Sequence, residues 1–200
     1  LAHTKLVHTS SFADDAQLSL QIQMAQRLPV VVGISFAPGA IYARKGMDAL
    51  APLLHRTRVL FINRQEMELL TGTADLPDGT RLLLQSGCRL AVVTLGGQKQ
   101  RDLPQDSVCY VYDGKQSLTM AAPHKKLPVV DTTGAGDAFA AGFLYGMLTG
   151  RGLYQCSLLG DLVAGFCIAE VGARAGLPTL EMLEERYEEY YGRPLQGQLL

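Results

Sequence analysis

The residues best suited to chemistry lie together in one short run. From Asp131 to Asp137 the chain reads Asp-Thr-Thr-Gly-Ala-Gly-Asp, directly after an apolar strand end and directly before a predicted helix. Gly134, Ala135 and Gly136 have little or no side chain, so backbone N–H groups here can approach a ligand closely. At a helix N-terminus such N–H groups lack internal partners and carry partial positive charge. The run therefore predicts an anion site, with phosphate as the foremost ligand.

A carboxylate stands beside this predicted anion site, because Asp137 falls in the first turn of the same helix. A substrate hydroxyl held between a phosphate and Asp137 could give its proton to the carboxylate while its oxygen attacks phosphorus in line. A structural interpretation competes with this one. An aspartate in a first turn also offsets the helix dipole, and the glycines before it also suit a turn.

Two common nucleotide-binding patterns are missing from the sequence. Phe139 stands where the third glycine of a Gly-x-Gly-x-x-Gly run would be, and no lysine occupies a P-loop position. A Rossmann-type dehydrogenase is disfavoured for that reason.

The elements that must position these residues alternate along the chain, which predicts an α/β fold with a mostly parallel sheet and helices on both faces. Strands are predicted over 29–34, 58–62, 90–95, 108–112 and 117–121. Helices are predicted over 13–27, 42–54, 64–70, 78–84, 137–148, 154–170 and 180–191. Asp113-Gly114 predicts the turn between the last two strands, and 98–105 is predicted to be an exposed loop.

Composition narrows the class of protein. The 18 basic and 19 acidic residues offer no electrostatic basis for binding nucleic acid or an anionic membrane. No apolar run is long enough to span a bilayer, and no secretory signal opens the chain. The four cysteines are widely spaced, which fits a reducing, cytoplasmic compartment. The chain begins at Leu1 in the middle of sequence typical of a folded domain, from which we expect a preceding segment.

The run 131–143 is similar to the C-terminal signature of the ribokinase, or PfkB carbohydrate kinase, family, and the resemblance extends over about 6–184. It implies a three-layer, Rossmann-like ribokinase fold and ATP-dependent phosphorylation of a hydroxyl group. In the family the second aspartate of the signature is the catalytic base, which corresponds to Asp137. The small residues before it form the anion hole, which corresponds to Gly134, Ala135 and Gly136.

Two further stretches follow in the family's order. The sequence Asn63-Arg64-Gln65-Glu66 resembles the family's Asn-x-x-Glu motif, which organises Mg²⁺ and the nucleotide phosphates; this implies such a role for Asn63 and Glu66. An asparagine followed three residues later by glutamate is also a helix capping box. Thr94, Gly96 and Gly97 resemble the family's nucleotide-binding turn.

The resemblance also implies a monovalent cation, K⁺, beside the anion hole. The corresponding positions are Asp131, Thr133 and the loop 172–176, beginning at Gly172. In that loop Gly176 stands where some ribokinases have a serine.

The interpretation that follows is a single kinase domain over 1–200 without the family's N-terminal substrate and lid segment. It would use ATP and Mg²⁺ to phosphorylate a small sugar or sugar-containing metabolite. Alternatives are an adenosine-like nucleoside kinase and a catalytically silent nucleotide-binding module. Pyrimidine kinases of the vitamin B1 pathway share the fold but generally have cysteine where this chain has Asp137, so this alternative is disfavoured. Lid strands pair subunits in many family members, so a homodimer is a further expectation.

Overall fold

A computed structural model of the chain describes residues 3–96, 102–122 and 128–195. In this part of the chain the strands form a six-stranded sheet whose spatial order follows the sequence. The strands are β1 Leu6–Ser10, β2 Gly33–Ala37, β3 Thr57–Asn63, β4 Ala91–Thr94, β5 Ser107–Tyr112 and β6 Ser117–Ala121. The pairs β1–β2, β2–β3 and β3–β4 are parallel, and β4–β5 is antiparallel. The predicted α/β class with a mostly parallel sheet is confirmed.

The helices fall between and after these strands. They are α1 Asp15–Arg27, α2 Gly39–Ala43, α3 Gly46–Leu54, α4 Arg64–Thr71, α5 Leu76–Gln85, α6 Ala135–Leu148, α7 Leu153–Ile168 and α8 Leu180–Tyr191. Short polar side chains cap several of them, as at Asp14, Asp75 and Thr179, each of which accepts a backbone N–H in the first turn. The last three predicted helices are confirmed to within two residues at either end.

The strand predicted over 29–34 is shifted, and β2 begins only at Gly33. Two of the three valines before it are exposed, Val30 at 84% and Val31 at 87%, while Val32 is buried. The N–H of Val32 donates to the carbonyl of Pro29 at 3.0 Å, which closes a turn. The chain has to reverse after α1 before it enters the sheet, and this need for a turn outweighs the β-propensity of the valines.

The helix predicted over 42–54 is two helices, α2 and α3. The break lies at Gly46, whose φ of 81° is outside the right-handed helical region. A glycine adopts this conformation at little steric cost, so the chain can turn between the two helices. The apolar periodicity alone does not reveal such a break, because both helices bury residues of one continuous pattern.

The chain divides into two compact units, 1–96 with 109–117 and 97–108 with 118–200. In the second unit α6 and α7 pack closely: a Cβ added to Gly142 would lie 2.4 Å from the carbonyl oxygen of Leu159. The buried side chains around this contact include Ala138, Val163 and Cys167. This packing fixes the start of α6 and the end of α7, where the candidate site lies.

Within the ranges described above, no helix combines the length and the apolar character needed to cross a membrane.

Candidate active site

The anion site predicted from the sequence lies at the N-terminus of α6. Gly134 is the N-cap residue and has φ 82° and ψ −2°, the left-handed conformation. A Cβ at this position would also lie 2.7 Å from the Cβ of Ala173. Only glycine meets both conditions, so the backbone path into α6 depends on this residue.

The backbone N–H groups at this terminus differ in their partners. The N–H of Ala135 donates to the carbonyl of Thr132 at 3.2 Å. Among the described residues, the N–H groups of Gly134, Gly136 and Asp137 have no hydrogen-bond acceptor. Gly136 and Asp137 are exposed. Three unpaired donors at the positive end of a 14-residue helix can bind an anion.

The carboxylate of Asp137 is exposed in the first turn of α6 and is therefore accessible to a ligand. It lies one residue beyond Gly136, so the base and the anion-binding amides predicted from the sequence belong to one helical turn. The arrangement can present hydrogen-bond donors to a phosphoryl group and a proton acceptor to an attacking hydroxyl.

Asp131 links two loops near this helix. Its Oδ1 accepts the N–H of Thr133 at 2.9 Å, and its Oδ2 accepts the N–H of Gly172 at 2.8 Å. These hydrogen bonds, led by the one from Thr133, favour the ionised form and lower the pKa of Asp131 below its ordinary value. The three residues predicted to surround a monovalent cation are thus brought together in the structure.

Sequence reasoning missed one residue here, Cys167 in the last turn of α7. Its side chain is fully buried, and its Sγ lies 3.6 Å from the carbonyl oxygen of Thr133 and 3.5 Å from that of Ala173. Burial is the main cause that raises the pKa of this thiol, and the charges of Asp131 and Asp137 add to it. A single cysteine in an apolar helix carries no sequence signal for such a position.

The Asn63 and Glu66 pair forms a capping box at the start of α4. Asn63 Oδ1 accepts the N–H of Glu66 at 2.8 Å, and Glu66 Oε2 accepts the N–H of Asn63 at 3.1 Å. Burial raises the pKa of Glu66, and the hydrogen bonds from Asn63 offset part of that effect. The structural interpretation of this motif is confirmed, while a role in binding Mg²⁺ stays a prediction.

The predicted nucleotide-binding turn follows β4. Thr94 is the parallel register partner of Asn63, so both residues lie at the carboxyl ends of neighbouring strands. Ligands of open α/β sheets bind at such strand ends. Gly96 has φ 63°, and a Cβ there would meet no atom within 4 Å. Gly97 falls outside the described residues.

The predicted site residues thus form two sets, one in each unit of the chain. Asn63, Glu66, Thr94 and Gly96 belong to the first unit. The second unit holds Asp131, Thr133, Gly134, Ala135, Gly136, Asp137 and Gly172. In neither set do the described residues include a group of three or more histidine, cysteine, aspartate or glutamate side chains that could hold a metal ion.

Comparison with known proteins agrees with these motifs. The family model described as "pfkB family carbohydrate kinase" matches residues 33–180. An "Uncharacterized sugar kinase" of Archaeoglobus fulgidus is 35% identical over 86% of this chain and 64% of its own length. A "Cytidine kinase" of Thermococcus kodakarensis is 34% identical over 78% of this chain and 52% of its own length.

Solved structures share the fold. The crystal structure of adenosine kinase from Sinorhizobium meliloti has a TM-score of 0.75 and 28% identity, over 94% of this chain and 55% of that protein. The chain therefore spans between about half and two thirds of the length of these relatives. The family match covers most of the chain and contains all of the site residues derived above; the chain belongs to the PfkB family of carbohydrate kinases.

Proposed function

We propose that the protein transfers a phosphoryl group from ATP to a hydroxyl group of a small sugar or sugar-containing metabolite. One observation carries this proposal. The exposed carboxylate of Asp137 lies in the first turn of α6, beside the N–H groups of Gly134 and Gly136, which have no acceptor in the described chain. A protein that only binds nucleotide has no need of a base at this position.

Each group at the start of α6 would have a separate task. The N–H groups of Gly134, Gly136 and Asp137 would donate to the oxygens of the transferring phosphate, where negative charge is spread in the transition state. The carboxylate of Asp137 would orient the acceptor hydroxyl and accept its proton. Because the phosphoryl transition state is loose, the proton moves late and a weak base suffices.

ATP is the nucleotide implied by membership of a kinase family, and we propose Mg²⁺ as its counter-ion. In the first unit, Glu66 is the carboxylate available for this role; its Oε2 already accepts the N–H of Asn63, and its other oxygen has no hydrogen bond in the described residues. Mg²⁺ commonly keeps several waters and takes one or two carboxylates together with substrate phosphates. The residues fit that mode, in which Glu66 would hold a hydrated ion and Asn63 would hold Glu66.

A monovalent cation, K⁺, is part of the same proposal. Asp131, Thr133 and Gly172 lie together, which supports it, although both carboxylate oxygens of Asp131 already accept N–H groups. Replacing K⁺ by choline at constant ionic strength should lower turnover if a cation binds here. Equal turnover in the two salts would remove K⁺ from the mechanism.

A nucleoside is the second candidate for the acceptor. Two of the similar proteins are named cytidine kinase and adenosine kinase. The groups that distinguish a sugar from a nucleoside are polar contacts to the acceptor hydroxyls. We propose that they lie mainly in a segment of the kinase domain not included in this chain. We also propose that the protein is cytoplasmic and forms a homodimer, in which the family's lid strands would make the dimer contact.

The proposal is tested with protein made from the complete open reading frame. ADP release is coupled to a spectroscopic readout with ribose, fructose, adenosine and cytidine as acceptors, and ATP binding is measured by calorimetry. We expect acceptor-dependent ADP release with at least one of the four compounds and release at least about 100-fold slower with Asp137→Asn. Tight ATP binding without acceptor-dependent release from any of them would favour the silent nucleotide-binding module.

A further inference from the structure

The thiol of Cys167 lies between two loops that meet at the start of α6, and the proposed chemistry does not use it. Its Sγ lies 3.6 Å from the carbonyl oxygen of Thr133 and 3.5 Å from that of Ala173. A thiol is a weak donor with one hydrogen, so it can donate to either carbonyl in turn. Since the side chain is fully buried, Cys167 has no direct access to a substrate.

The contact with Thr133 matters because of peptide geometry. The carbonyl of Thr133 and the N–H of Gly134 belong to the same peptide unit. A trans peptide is planar, so its C=O and N–H point in opposite directions. A donor that holds the carbonyl toward α7 therefore turns the N–H of Gly134 away from α7. The first amide of the proposed phosphate site takes its direction from this contact.

Other hydrogen bonds hold the same stretch of backbone to the end of α7. The carbonyl of Ile168 accepts the N–H groups of Val130 and Asp131, at 2.8 and 3.2 Å. Beyond them, Asp131 holds the N–H of Thr133. Among the described residues, the Cys167 thiol is the only donor to the Thr133 carbonyl. Without it, no other hydrogen bond in the described residues holds the C=O or the N–H of that peptide.

The second loop is attached through the same groups. Asp131 accepts the N–H of Gly172, and the Cys167 thiol reaches the carbonyl of the next residue, Ala173. Ala173 in turn lies against Gly134, where an added Cβ would come within 2.7 Å of the alanine Cβ. The two loops therefore contact each other and the end of α7, and Cys167 contacts both loops.

We propose that Cys167 is a positioning residue of the phosphoryl-transfer site: its thiol holds the Thr133–Gly134 peptide so that the N–H of Gly134 faces the phosphate. This inference rests on the proposed kinase function. The competing explanation is packing, because Cys167 also belongs to the buried cluster that includes Leu162 and Val163. A packing role would affect stability without a specific effect on turnover.

The chain offers a matched control in Cys156. It lies in the same helix, is equally buried, and its Sγ lies 3.4 Å from the carbonyl oxygen of Arg151, near the other end of α7. Cys156→Ala removes the same atoms from the same helix but leaves the loops untouched. Cys167→Ser is the conservative variant, because a hydroxyl can donate to the same two carbonyls.

The variants are compared in protein from the complete open reading frame, with the acceptor that the unmodified protein phosphorylates. We expect Cys167→Ala to lower kcat about tenfold, which corresponds to about 1.4 kcal/mol of transition-state stabilisation, with KM for ATP changed less than about twofold. Cys167→Ser should recover most of kcat. Cys156→Ala should lower the melting temperature to a similar extent and leave kcat unchanged.

Hydrogen exchange of the Thr133 and Gly172 amides provides a readout that needs no substrate. Cys167→Ala should speed exchange at both amides, and Cys156→Ala should not. Equal kcat in Cys167→Ala and unmodified protein, no recovery in Cys167→Ser, or equal exchange in the two alanine variants would each overturn the inference. Absence of turnover in the unmodified protein would instead contradict the proposed function, and hydrogen exchange would still decide whether Cys167 orients the loop.

Discussion

At the scale of single residues, Asp137 could act as a catalytic base or only as a partner of the helix dipole. Its carboxylate is exposed in the first turn of α6, where a negative charge also offsets the helix dipole. The dipole effect is worth about 0.3–1 kcal/mol. Loss of a general base and of its orienting contact costs about 10²- to 10⁴-fold in rate. These two effects differ enough in size and kind to be measured apart.

We therefore predict that Asp137→Asn lowers kcat about 10²- to 10⁴-fold and leaves the Kd for ATP within about threefold of its original value. Steady-state kinetics and calorimetry measure the two quantities. Asp48→Asn is the control, because Asp48 is likewise exposed in the first turn of a helix, α3. Near-normal turnover in Asp137→Asn would reduce the role of this aspartate to that of a dipole partner.

Gly134 is the second residue with a prediction of its own. We predict that Gly134→Ala lowers the free energy of unfolding by about 1–3 kcal/mol, because the new methyl group meets Ala173 and the residue has φ 82°. Denaturant unfolding measures the change. Gly136→Ala is the matched control: a Cβ there meets no atom within 4 Å, and alanine favours a helix by about 1 kcal/mol. Equal losses in the two variants would contradict this explanation.

At the scale of elements, the sequence predicts the helices whose first residues are typical of a helix start. The helix over 64–70 is recognised from Asn63 and Glu66 at its start, and the structure has the reciprocal hydrogen bonds of that capping box. The start of α6 is recognised from small residues and an aspartate. Both elements are positioned as the sequence indicates because local hydrogen bonds and backbone conformation decide them.

Where tertiary contacts determine the local backbone conformation or the surroundings of a side chain, the sequence alone does not predict it. The valines at 30–32 have high β-propensity, yet they form the turn between α1 and β2. The position of Cys167 follows from how the end of α7 lies against the loops 131–134 and 172–173. Neither a turn that overrides propensity nor a contact between distant loops leaves a periodic signal in the sequence.

The start of α4 carries the next prediction, because the capping box and the proposed Mg²⁺ role can be separated there. We predict that Glu66→Gln raises the half-saturating Mg²⁺ concentration about tenfold, a size typical of changes around a metal site. Glutamine can still accept the N–H of Asn63, so the helix cap is kept. A Mg²⁺ titration of turnover makes the measurement, and Glu68→Gln on the same helix is the control.

Glu66→Gln should also change how the free energy of unfolding depends on pH. Burial raises the pKa of Glu66, so the folded state holds this proton more tightly than the unfolded state does. The stabilisation is fully present below the ordinary glutamate pKa of 4.5 and is lost as pH rises through the folded-state pKa. Glu66→Gln should abolish that part of the pH dependence. An unchanged Mg²⁺ titration together with this change in pH dependence would leave Glu66 a capping residue only.

At the scale of the whole molecule, the predicted site residues are distributed over both compact units of the chain. The first unit holds the proposed nucleotide-side residues Asn63, Glu66, Thr94 and Gly96, and the second unit holds the proposed base, Asp137. Conditions that unfold either unit should therefore abolish activity. The groups whose pKa changes on folding determine which conditions those are.

Two carboxylates, one in each unit, are expected to lose their stabilising effect in acid. Backbone N–H groups lower the pKa of Asp131, through Thr133 and Gly172, and that of Asp113, through Gln116 and Lys115. A lowered pKa means that the stabilisation is present above the unfolded-state value of about 3.8 and is lost as pH falls through the folded-state pKa. Acid should therefore weaken both units.

We predict that Asp131→Asn lowers the melting temperature at pH 7 by a few degrees, because an amide has one oxygen and cannot accept both N–H groups equally well. The difference from the unmodified protein should shrink as pH falls below about 3.8, since protonation weakens the same hydrogen bonds in the original side chain. Melting curves from pH 2.5 to pH 7 measure this. Asp113→Asn should lose less at pH 7, because Oδ1 of Asp113 alone accepts the N–H groups of Lys115 and Gln116 and an asparagine oxygen can take its place. A difference that stays constant down to pH 2.5 would show that Asp131 acts through its shape and not through its charge.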